Sequence, residues 1–128
     1  KEPRREAHAM LRYYGSFGTN TWCTNSDLLV YIMRWKSPAD ISSDWGQDNA
    51  TKESPDTLPK VGEEVRAYQR HGMHNNIAFR RGAYLIDVEG SNACGWEYLK
   101  HMAKVLDNNF LKAQKALAAG EQNPSPQK

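Results

Sequence analysis

Apolar residues recur at helical spacing near both ends of the chain. Ala7, Met10, Leu11 and Tyr14 stand at i, i+3, i+4 and i+7, which predicts an amphipathic helix over 4–14, with Pro3 at its start and Gly15 at its end. Trp96, Leu99, Ala103, Leu106 and Phe110 repeat the spacing, with Lys100, Lys104 and Lys112 on other faces, and predict the longest helix, beginning near Ser91 or Asn92. The run Leu28 to Trp35 is apolar nearly all round. It follows the cap formers Asn25, Ser26 and Asp27, precedes Pro38, and so predicts a central buried helix.

Between these segments the pattern changes. A short helix is expected from Pro59 to Gly72, with Glu63 and Glu64 in its first turn and Val61, Val65 and Tyr68 turned inward; a strand over Glu64 to Tyr68 is the alternative. Asn76 to Phe79 and Ala83 to Val88 flank Arg80-Arg81-Gly82, and their β-branched and aromatic content predicts a hairpin with Tyr84, Ile86 and Val88 on one face. Gly15 to Asn25 reads as a loop. So does the stretch from Ser37 to Pro59, with its three prolines and Asp40, Asp44, Asp48 and Asp56. The expected fold is α+β: one domain over 1–119, mainly helical with one β-hairpin, then a disordered, apolar-free tail over 120–128.

Length agrees with one domain, since 128 residues can bury a core without metal or disulfide staples. With 39% apolar and 25% charged residues, collagen-like, coiled-coil and wholly disordered chains are excluded. A net charge of +2 argues against nucleic acid or an anionic membrane as the principal partner. Leu28 to Met33, the longest apolar run, is far short of the roughly 20 residues that span a bilayer. An initial Lys1 is expected of a chain processed from a longer one, which would suit an exported or organellar protein.

Cys23 precedes the expected buried helix, where free N–H groups and the helix dipole would stabilise a thiolate. His74 opens the hairpin and Asp87 lies late in its second strand, so a nucleophile, a base and a group to orient the base are available in that order. The segments Trp22-Cys23-Thr24-Asn25-Ser26-Asp27-Leu28-Leu29-Val30-Tyr31 and Met73-His74-Asn75-Asn76-Ile77 to Asp87 resemble papain-like thiol amidases and peptidases of the NlpC/P60 and CHAP type. Pro59-Lys60-Val61-Gly62-Glu63-Glu64-Val65 is similar to the segment that precedes the histidine strand in those families. The resemblance implies a hydrolase that cleaves an amide in a peptide or peptidoglycan substrate. Its catalytic residues would be Cys23 as nucleophile, His74 as base and then acid, and Asp87 holding the imidazole. Cys94, also at an expected helix start, is a second candidate nucleophile, in an order similar to that of the circularly permuted LRAT-like relatives.

The other reading is a non-catalytic interaction module with a protein partner. Cys23 and Cys94 would then form a disulfide or remain simple buried thiols, and an exposed Trp45 in the acidic loop would make contacts. Asp87 would be a solvent-facing strand residue. Arg80 and Arg81 at a hairpin tip beside Phe79 and Tyr84 form a candidate nucleic-acid contact, against a solvated turn. His71 and His74, with Cys94 or His101, have none of the CxxC, HExxH or EF-hand spacings, so no metal and no cofactor is expected.

Overall fold

Leu28 to Met33 lie in the middle of a sheet, not in a helix. The computed structural model describes residues 7–17, 23–42, 45, 57–70, 74–91 and 95–122. Its elements are strands β1 (Ala7–Phe17) and β2 (Cys23–Arg34), a single 3-10 turn at Pro38–Asp40, strands β3 (Glu64–Arg70), β4 (His74–Arg81) and β5 (Tyr84–Ser91), and one helix, α1 (Trp96–Gln122). The strands form one sheet in the order β1-β2-β5-β4-β3, every neighbouring pair antiparallel. The domain is α+β, but mainly sheet; the expectation of a mainly helical fold is overturned.

Two expected helices are strands, for different physical reasons. A strand covered on both faces loses its apolar/polar alternation, and the continuous run that remains cannot be told from a buried helix by periodicity. In β2, Leu28 and Val30 are almost fully buried on one face while Leu29 is buried on the other. In β1, Ala7, Ala9 and Leu11 share one face and His8 and Met10 the other, so the i, i+3, i+4 spacing there does not mark a helical stripe. Within the segment expected as a helix from Pro59 to Gly72, a bend at Gly62 and Glu63 leads into β3, which contains the alternative strand over Glu64 to Tyr68.

The hairpin is present and longer than its sequence signal, with the Gly82–Ala83 turn joining β4 to β5. Cross-strand partners share a face, so the register sorts the side chains. Leu28, Val30 and Ile32 of β2, Ile77 and Phe79 of β4, and Ile86 and Val88 of β5 face α1, which packs across β4 and β5. Leu99 and Ala103 are completely buried in this layer, and Trp96, Met102 and Leu106 border it. Phe110 closes the packed part of α1, meeting Tyr84 edge-on at 4.8 Å between ring centroids. The helix starts at Trp96, later than expected, because Ser91 is still in β5 as the partner of His74. It also runs past 119 to Gln122; the rest of the expected tail, 123–128, is outside the described residues. No helix among the described residues is long and apolar enough to cross a membrane.

Candidate functional site

The sheet face opposite α1 gathers the polar residues. Alternation places Asp87 and Glu89 of β5 on it, with Asn76 and His74 of β4 and Tyr68 and Arg66 of β3. Tyr31 and Leu29 of β2 stand across from Asp87 and Glu89 on the same face. Its centre is not open to water: Asp87 is 9% exposed, Glu89 4% and Asn76 0%. Asp87 is therefore not the solvent-facing residue that alternation alone suggested.

Asn76 organises this group. Its Nδ2 donates to Asp87 Oδ1 at 2.9 Å and to Glu89 Oε1 at 3.1 Å, using both amide hydrogens. Two carboxylates as partners fix the orientation of the amide, because the reverse would set its oxygen against both of them. The Tyr68 hydroxyl donates to Asp87 Oδ2. Two buried atoms beside these bonds accept nothing: Asn76 Oδ1 and His74 Nδ1 have no hydrogen-bond partner. On the same face Arg66 binds Glu64 at 2.6 Å, donates to the Trp45 carbonyl and stacks 4.1 Å from the Trp45 ring. Trp45 is thus half-buried against the sheet and does not present the exposed aromatic that was expected.

The expected catalytic residues are distributed differently from the triad that the resemblance implies. His74 pairs with Ser91 and Asp87 pairs with Ala78, four ladder steps away, or roughly 13 Å along the strands. They share a face but are not neighbours. Asp87 is engaged by Tyr68 and Asn76. Cys23 begins β2, not a helix, so the helix-terminus argument for its thiolate does not apply; its side chain lies outside those described. Cys94 and His71 lie outside the described residues.

Arg80 and Arg81 do not form one basic patch, because successive strand residues point to opposite faces. Arg80 pairs with Glu63 at 2.9 Å, and Arg81 crosses to the helix side, where it binds Asp107. Among the described residues no three His, Cys, Asp or Glu side chains converge as a metal-binding group.

The polar group carried two legible signs. Ile86-Asp87-Val88-Glu89 alternates apolar and polar residues, and Asn75-Asn76 is unusual within a strand. Nothing in those residues marked the polar face as buried. The chain matches no family model, no curated protein and no solved structure.

Proposed function

We propose that this protein is a non-catalytic binding module whose working surface is the polar face of its sheet. The observation that carries this reading is the burial of Asp87, Glu89 and Asn76 as one hydrogen-bonded group on the face that α1 leaves uncovered. Burying two carboxylates is costly, and apolar residues of similar volume would serve stability as well or better. A polar group kept in such a place suits recognition. The amidase reading needs His74 oriented by a carboxylate, and Asp87 lies four ladder steps from His74, bonded to Tyr68 and Asn76.

The test is turnover. The chain and its Cys23→Ser variant are incubated with short peptides and with peptidoglycan fragments, and new amines are counted. No turnover above background by either protein is the expected result. Hydrolysis by the parent chain that disappears in Cys23→Ser would overturn the binding reading in favour of the thiol hydrolase.

A further inference from the structure

The binding reading above leaves open what is bound, and the polar face itself limits the chemistry. Asn76 is fully buried, yet its Oδ1 accepts no hydrogen bond, and two residues away on the same face His74 Nδ1 is buried in the same condition. An unsatisfied buried polar atom costs on the order of 1–3 kcal/mol, so two of them two residues apart in one strand call for a partner from outside. The donors already present are used, the Asn76 amide on Asp87 and Glu89 and the Tyr68 hydroxyl on Asp87. The carboxylates of Asp87 and Glu89 stand beside these two atoms on the neighbouring strand.

We propose that this row, His74 and Asn76 on β4 beside Asp87 and Glu89 on β5, binds the protonated primary amine of a small molecule. An ammonium group supplies three N–H donors on one compact cation. Asn76 Oδ1 and His74 Nδ1 accept two of them, and the carboxylates on β5 favour the charge. The alkyl part of such a ligand would meet Leu29 and Tyr31, which stand on the same face directly across from Glu89 and Asp87. A metal ion suits the site less well, because no three metal-ligating side chains converge among the described residues.

The experiment follows the His74 imidazole by NMR at a fixed pH. n-Butylammonium is titrated against tetramethylammonium and calcium chloride at constant ionic strength. Tetramethylammonium has the charge without the N–H donors. A saturable shift with n-butylammonium alone, at millimolar concentration or below, is expected. Asn76→Leu should weaken that binding by at least about tenfold, the worth of one charge-assisted hydrogen bond. If Asn76→Leu fails to fold, Glu89→Gln carries the same expectation, with Glu97→Gln at an exposed position of α1 as an unaffected control. The assignment is overturned by no saturable shift up to about 10 mM, by an equal response to tetramethylammonium or calcium, or by full binding in folded variants of the row. Any of these removes the amine and leaves the non-catalytic reading intact, whereas Cys23-dependent turnover removes that reading without bearing on amine binding.

Discussion

Asp107 of α1 and Arg81 of β4 form a forked ion pair that ties the helix to the hairpin. Arg81 Nε donates to Asp107 Oδ1 at 3.1 Å, and one terminal nitrogen reaches both carboxylate oxygens, at 2.9 and 2.8 Å. The same carboxylate accepts the Gly62 N–H at 3.2 Å. Next to it, Glu63 accepts the Gly82 N–H on both of its oxygens at 3.0 Å, and its own N–H donates to the Arg80 carbonyl. Gly62 and Glu63, read in the sequence as part of a resemblance to an amidase segment, thus join the hairpin turn to the helix.

Asp107 is 6% exposed, so removing it would strand the Arg81 charge in a poorly solvated position. Asp107→Ala should destabilise the protein by about 2–3 kcal/mol, less than a fully buried pair, because Arg81 keeps some access to water. The double variant Asp107→Leu with Arg81→Met should cost less than Asp107→Ala alone, since no charge is left unpaired. Urea unfolding at equilibrium measures both. A cost under about 0.5 kcal/mol for Asp107→Ala would show that the pair contributes nothing.

The two glycines with positive φ separate backbone strain from crowding. Both stand at φ +61°, but a Cβ on Gly62 would lie 2.4 Å from the Arg80 carbonyl oxygen, while one on Gly82 meets nothing. Gly82→Ala should cost roughly 1 kcal/mol, the left-handed penalty alone. Gly62→Ala should cost at least about twice that, because the hairpin must also shift. Equal costs in urea unfolding would mean that the contact with Arg80 yields freely.

The parts of the fold legible in the sequence were those whose two faces differ. α1 showed itself because Leu99, Ala103 and Leu106 face the sheet while Lys100 and Lys104 do not, and the hairpin because Ile86 and Val88 alternate with Asp87 and Glu89. β2 was misread because its two faces are alike: Leu28 and Val30 meet the helix layer, and Leu29 is buried on the far side. β1 was misread because four apolar residues fell at helical spacing by chance of order. The candidate site was half legible. His74 and Asp87 were singled out, but as neighbours, and the four-step offset depends on a register that no local pattern contains. Asn76, which holds the group together, was passed over because an asparagine in a strand carries no chemistry until its partners are known.

The length of α1 exceeds what the sheet can cover. Its 27 residues extend about 40 Å, and the eight-residue β4 and β5 only about 26 Å. Residues 111–120 are accordingly all exposed, including Leu117 at 69%. A chain ending after Leu111 keeps the Phe110–Tyr84 contact and should retain its stability within about 1 kcal/mol. A chain ending before Leu106 loses the packed turns and should unfold at a clearly lower urea concentration. Large loss from the first truncation would show that the overhanging turns hold the fold together.

Tyr98 gives the protein a specific alkaline weakness. Its side chain is 8% exposed in the layer beneath α1, and burial raises its phenol pKa above the ordinary value of 10.0. The neutral phenol is the form the fold accepts, so the folded value lies above the unfolded one. The stability linked to it is complete below the unfolded value and is lost as pH rises through the folded value. Tyr98→Phe keeps the ring and removes the ionisation. Urea unfolding at about pH 9 and about pH 11 should therefore show a steeper loss for the parent chain than for Tyr98→Phe. Parallel losses in the two proteins would mean that this phenol ionises as easily in the fold as in the unfolded chain, and that another group sets the alkaline limit.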